Sequence, residues 1–152
     1  MDGVIYHGNK ILPGVAEFIQ WLHNEKKEYL FLTNNSGSTP KELQQKLARL
    51  GLDVTEEHFY TSALATATFL KDQAPGCSVY VIGEAGLYNA LYDAGITMND
   101  VNPDYVVVGE TRTYGVEKIE KAVELVNKGA KLIGTNPDIT GRGYVFAAHV
   151  TT

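Results

Sequence analysis

The chain has 152 residues, 44% apolar and 20% charged, with nine Tyr and five Phe, enough to bury a core in one ordinary domain or two small lobes and too apolar for a disordered chain. Its formal charge of -5 argues against a general attraction to nucleic acid or anionic membranes and leaves a small molecule as the expected partner. Cys77 is the only cysteine, which excludes an intramolecular disulfide, and no Cys and His spacing suggests zinc.

Met1 to Lys10 carry no apolar signal-peptide core, and no apolar run approaches the roughly 18 residues of a membrane span, so a cytoplasmic location is expected. Short β-branched or aromatic runs then alternate with segments of helical period, the pattern of an α/β fold built on parallel strands. From Gly14 to Lys26, Val15, Phe18, Ile19 and Leu22 recur at helical spacing and predict a helix packed on that face. Tyr29 to Leu32 reads as a buried strand. Thr39-Pro40-Lys41-Glu42 supplies an N-cap, a proline at the first helical position and a capping-box glutamate for a helix with Leu43, Leu47 and Leu50 on its stripe, stopped by Gly51.

A third helix is predicted from about Ser62 to Asp72, and Ala74-Pro75-Gly76 after it has the chemistry of a turn or hinge, taken as the domain boundary. Beyond it lies a weak internal repeat. Val81-Ile82-Gly83-Glu84 is echoed by Val107-Val108-Gly109-Glu110, each followed four residues after the Glu by a tyrosine, Tyr88 or Tyr114. Lys131-Leu132-Ile133-Gly134 is a third strand-like run, and the helix before it carries Val116, Ile119, Val123 and Val126 on one stripe, closed by Gly129. The repeat has two explanations: a shared ligand, or the Gly and polar cap that any strand-to-helix turn favours. Either way, parallel strands gather these turns on their carboxyl edge, so Glu84, Glu110 to Thr113 and Thr135 to Asp138 are expected on one rim.

The candidate chemistry sits in the front half. Asp2-Gly3-Val4 opens the chain, and Leu30 to Leu32 lead into Thr33-Asn34-Asn35-Ser36-Gly37. Alone, that strand end is only what a turn requires. Paired with Asp2, it offers a carboxylate at one strand end and a hydroxyl with backbone amides at the next, a way to hold a phosphate beside an acid.

These segments resemble the NagD-like members of the haloacid dehalogenase superfamily, whose first motif is Asp-x-Asp-Gly-Val and whose second is a strand ending in Thr-Asn-Asn. The resemblance covers nearly the whole chain. It takes in Pro13-Gly14, Phe59-Tyr60-Thr61-Ser62-Ala63, the run from Val101 through Pro103-Asp104 to Gly109-Glu110-Thr111-Arg112, Gly134-Thr135-Asn136-Pro137-Asp138 and Gly141-Arg142-Gly143.

The resemblance implies a partial Rossmann-like core, a parallel sheet with flanking helices, carried by residues 1 to about 77, and most of an inserted α/β cap in 78 to 152. It implies magnesium and a two-step phosphoryl transfer on a small phosphorylated metabolite, a nucleoside monophosphate or a sugar phosphate. Asp2 matches the general acid and base whose carbonyl would also ligate the metal; Thr33, Asn34 and Asn35 match the phosphate pocket. In the cap, Asn136, Asp138 and Arg142 become candidates for reaching the leaving group, although Asn-Pro-Asp is also a common turn and Arg142 an ordinary surface charge. The histidines at 7, 23, 58 and 149 fall in unlike contexts and are not expected to catalyse.

The family's nucleophile belongs two positions before Asp2, where this sequence has no residue, and its lysine and second acidic motifs follow the cap. The polypeptide as given is therefore expected not to turn over. The competing expectation is a non-catalytic fragment or decayed relative that binds ligand or self-associates, with a homodimer left open. A phosphoacceptor receiver-like domain is disfavoured, because it would need paired carboxylates near the first strand and Asp2 stands alone there.

Overall fold

The computed structural model describes Met1 and residues 3–137. A small antiparallel hairpin comes first, pairing β1 (Tyr6–His7) with β2 (Lys10–Ile11). Helix α1 (Val15–Asn24) follows Gly14, whose φ of 83° is a left-handed value that glycine adopts without strain. Strand β3 (Phe31–Thr33), helix α2 (Pro40–Arg49) and strand β4 (Phe59–Thr61) complete the first lobe, with β3 and β4 parallel and Thr33 opposite Thr61.

The capping box forms as expected: Thr39 Oγ1 accepts from the Glu42 amide at 3.1 Å, and Glu42 Oε2 accepts from the Thr39 amide at 2.8 Å. That start presents Leu43 and Leu47 to Phe31, Phe59, Leu52 and Val54, the centre of the first core, which also holds Tyr6, Ile19 and Leu22. Strand β3 begins two residues later than predicted. The Tyr29 carbonyl lies 3.0 Å from His58 Nδ1, and its ring stacks on His58 at 4.0 Å between centroids, so its partner is a side chain rather than a neighbouring strand. Phe18, expected in the core, stacks instead on Trp21 at 5.9 Å on the solvent side of α1.

Helix α3 (Ser62–Gln73) leaves β4 directly. The Thr61 hydroxyl caps it by accepting from the Leu64 amide at 3.2 Å. The second lobe is a four-stranded parallel sheet in the order β6 (Thr97–Met98), β5 (Ser78–Ile82), β7 (Tyr105–Val108) and β8 (Lys131–Gly134), with α4 (Ala85–Asp93) and α5 (Val116–Asn127) as crossovers. Alternation sorts its side chains. Val79, Val81 and Val107 face Ala63, Ala67 and Leu70 of α3 and Leu87 and Leu91 of α4, while Ile82 and Val106 face Ala122 and Leu125 of α5.

Helix α3 therefore springs from the first sheet and is buried against the second. The sequence predicted strand-helix-strand-helix-strand for this lobe, and the short β6 is an addition. The stripe on α5 is also rotated: Ala122 and Leu125 face the sheet and Val126 is half-buried, while Val116, Ile119 and Val123 are exposed. Two neighbouring stripes of this helix are apolar, and periodicity alone cannot choose between them. In the fold Ala122 and Leu125 pack with Ile82 and Val106, and that is the stripe turned inward.

Candidate functional site

Strand β3 ends at Thr33, and residues 33 to 38 turn from it into α2. Two local bonds shape this loop. Thr33 Oγ1 accepts from the Asn35 amide at 3.3 Å, and Asn35 Oδ1 accepts from the Ser38 amide at 2.7 Å. A third ties it to α3, where the Ser62 hydroxyl donates to the Asn34 carbonyl at 2.8 Å. Thr33 is half-buried and Asn34 exposed, both at the carboxyl edge where an open parallel sheet places ligands.

The second lobe docks on the same loop through its own strand ends. The Glu110 amide, just past β7, donates to Ser36 Oγ at 2.8 Å, and the Thr135 hydroxyl, just past β8, donates to the same oxygen at 3.0 Å. Past β5, the Gly86 amide donates to the Gly37 carbonyl at 2.9 Å. Ser36 is fully buried by this closure. Glycine is required at Gly86, where a Cβ would lie 2.5 Å from the Ser38 carbonyl oxygen, whereas a Cβ on Gly109 would meet side-chain atoms, Leu87 Cδ2 at 2.7 Å and Ser36 Oγ at 2.9 Å.

The rim is also knitted within itself. Glu84 accepts from the Thr111 hydroxyl and, at 3.3 Å, from the Arg112 amide, so the first copy of the sequence repeat grips the turn after the second. These donors, the Thr111 hydroxyl first, hold the Glu84 carboxyl below the usual glutamate range. Beside the loop opens a cleft of about 620 Å3, walled by Asn35, Gly37 and Ser38, by Lys46 and Arg49 of α2, and by Glu84, Glu110 and Arg112 of the rim. Lys46 is partly committed, since its Nζ donates to the Tyr6 hydroxyl at 3.0 Å and sits over that ring.

Of the residues singled out from sequence, Thr33, Asn34 and Asn35 share one loop, but only Asn35 walls the cleft, and its side-chain carbonyl is occupied in shaping the turn. Asn136 is half-buried next to Thr135 and so stands at the rim. Asp2, Asp138 and Arg142 lie outside the described residues. His23 and His58 flank Tyr29 in the first lobe, with His23 Nε2 2.8 Å from the Tyr29 hydroxyl, and neither walls the cleft. Among the described residues no group of three His, Cys, Asp or Glu side chains is placed to hold a metal ion.

Sequence reasoning missed Ser36, Ser62 and Gly86. A serine in a turn looks the same whether its hydroxyl faces solvent or a second lobe. Gly86 did leave a signal, because a glycine in the first turn of a helix costs stability unless something approaches closely.

A strand-end hydroxyl loop on a parallel sheet, covered by a second α/β lobe, is the plan of one group of hydrolases. A family model described as haloacid dehalogenase-like hydrolase matches residues 1–97, and the chain belongs to that family, in its NagD-like branch. The dihydroxyacetone phosphatase of Corynebacterium glutamicum strain R is 48% identical over 141 residues, covering 93% of this chain and 51% of that protein. The ribonucleotide monophosphatase NagD of Escherichia coli K12 is 46% identical over 144 residues, covering 95% of this chain and 57% of NagD. The solved structure of NagD from the K-12 strain superposes with a TM-score of 0.89, covering 97% of this chain and 58% of that one. A 4-nitrophenylphosphatase from Thermotoga maritima superposes equally well, at 0.89, with 33% identity over 97% of this chain and 58% of its own. The chain thus spans little more than half the length of these relatives. No described helix is long and apolar enough to cross a membrane.

Proposed function

We propose that this chain carries the phosphate-gripping loop and most of the cap of a phosphatase that hydrolyses small phosphomonoesters. The observation that supports it most directly is the seating of three cap strand ends on the loop that continues from Thr33. A loop held from both sides presents a hydroxyl and amides in fixed geometry, which is what stabilising charge on a transferring phosphoryl group requires. The phosphatase names of the relatives support the same reaction class and suggest dihydroxyacetone phosphate, ribonucleoside monophosphates or other sugar phosphates as substrates to try.

In this proposal an aspartate attacks phosphorus and the ester oxygen leaves. Asp2 protonates that oxygen, then takes a proton from the water that hydrolyses the aspartyl-phosphate. Thr33 donates its hydroxyl to a phosphate oxygen, with Asn34 and Asn35 beside it, and Asn136, Asp138 and Arg142 face the leaving group. The described residues do not by themselves fit magnesium, so its proposed site rests on Asp2 and on carboxylates beyond those described, and no step is drawn through it. The nucleophile is not among the residues Met1 to Thr152, so this polypeptide by itself is proposed not to turn over.

The test is phosphate release from p-nitrophenyl phosphate and from the three substrate classes, with and without magnesium. It compares the 152-residue chain with one extended at both ends to restore the family's motifs. Activity in the extended chain alone is the expected result. Turnover by the short chain would put the attacking group elsewhere, and silence in both would leave a ligand-binding or self-associating relative.

A further inference from the structure

We propose that Ser36 is a positioning residue. Its buried hydroxyl pins the Thr33 to Ser38 loop to the strand ends of the cap, so the geometry of the candidate phosphate contacts is set by the docked cap and not by the first lobe alone. The inference rests on reading Thr33 to Asn35 as phosphate contacts, but its structural half stands independently.

Three observations carry it. One oxygen, Ser36 Oγ, accepts from two strand-end turns at once, the Glu110 amide at 2.8 Å and the Thr135 hydroxyl at 3.0 Å. Within the loop the bonds are local, Thr33 to Asn35 by a 3.3 Å contact and Asn35 to Ser38 by one side-chain bond, while Ser62 holds the Asn34 carbonyl and the Gly86 amide holds the Gly37 carbonyl. Finally, Gly86 approaches the backbone of Ser36 and Ser38 so closely that it leaves no room for a side chain, and Gly109 lies close against the Ser36 hydroxyl, so Ser36 to Ser38 sit tightly along the rim.

Buried, doubly bonded hydroxyls are costly to lose because their partners are stranded away from water. If Ser36 opens, the loop loses its ties to the β7 and β8 strand ends and keeps its turn bonds, the Ser62 bond at Asn34 and the Gly86 bond at Gly37, so the position of Thr33 relative to Asn35 is set less firmly. Ligand in the phosphate pocket and closure of the cap are then two ends of one equilibrium, in which each must favour the other.

The experiment uses the 152-residue chain and inorganic phosphate as the probe, with amide hydrogen exchange followed residue by residue. Ser36→Ala should speed exchange at the Glu110 and Ser38 amides by roughly tenfold, the factor given by one lost hydrogen bond of ordinary strength, and weaken phosphate binding by a similar factor. Thr135→Val should repeat both effects more weakly with a small drop in the urea midpoint, and Thr135→Ser, which keeps the hydroxyl, should behave as wild type. This pair decides the matter if Ser36→Ala fails to fold. Faster exchange at Glu110 with Ser38 unchanged would overturn the proposal, because Ser36 would then anchor the rim without governing the loop. A wild-type chain that binds no phosphate would remove the phosphatase reading of the loop, while the exchange pattern would still decide whether Ser36 pins it.

Discussion

Gly86→Ala is the smallest change that should pry the two lobes apart. In an isolated helix it would help, since alanine is favoured over glycine in a helix interior by about 1 kcal/mol. Here the new methyl would lie 2.5 Å from the Ser38 carbonyl oxygen, 2.6 Å from its carbon and 2.8 Å from the Ser36 carbonyl oxygen, all backbone atoms that no rotamer change can move aside. Forcing a methylene-sized group into a closed contact costs about 1–3 kcal/mol. The Gly86 amide would also lose its 2.9 Å bond to the Gly37 carbonyl, worth about another 1 kcal/mol. Set against the helical gain, the net loss is about 1–3 kcal/mol, which for a chain of this size lowers the thermal midpoint by roughly 2–4 °C per kcal/mol. Urea and thermal unfolding followed by circular dichroism measure it, and exchange at the Ser38 and Glu110 amides locates it. A Gly86→Ala chain as stable as wild type, with both amides unchanged, would show that the lobes do not meet in this way.

The rotated stripe on α5 predicts that Leu125→Ala costs about 2–5 kcal/mol while Val123→Ala stays within about 0.5 kcal/mol; comparable urea midpoints for the two variants would restore the stripe expected from periodicity. Glu84 has a depressed carboxyl in the folded chain, held down by Thr111 and Arg112, and Asp104 has another, held down first by the Ser78 amide and then by its hydroxyl. Both therefore contribute stability that is complete above the ordinary carboxylate range and fades as pH falls through the lower folded values. Glu84→Gln together with Asp104→Asn should flatten the acid limb of a stability profile, and an unchanged limb would assign it to other groups. On the first lobe, Leu32 is 69% exposed and Leu30 59%, in and beside a strand paired on one edge only among the described residues, and Trp21 of α1 is 50% exposed. This predicts concentration-dependent association and binding of a hydrophobic dye, and a monodisperse, dye-silent monomer by light scattering would contradict it.

Local chemistry made much of this legible. The capping box at Thr39, the stop at Gly51 and the gathering of Glu84, Glu110 and Thr135 on one rim follow from spacing, because each depends on backbone rules acting over a few residues. The Thr33 loop was legible as a turn, and as a phosphate site only through its resemblance to a family. What stayed hidden depends on partners far away in sequence. The Ser36 hydroxyl is settled by Thr135, 99 residues on, and the inward face of α5 by the packing of Ala122 and Leu125 with Ile82 and Val106 on distant strands. Neither set of partners is written in a periodicity.

Helix α3 has a consequence for anyone who exchanges parts between members of this family. It is continuous with β4, yet Ala63, Ala67 and Leu70 form the floor under Val79, Leu87 and Leu91. A second lobe lifted out at Ser78 and grafted onto another first lobe would arrive without that floor and would have to accept whatever helix its host supplied. A transplant junction placed ahead of Ser62 would carry the helix along, and with it the Ser62 hydroxyl that steadies Asn34.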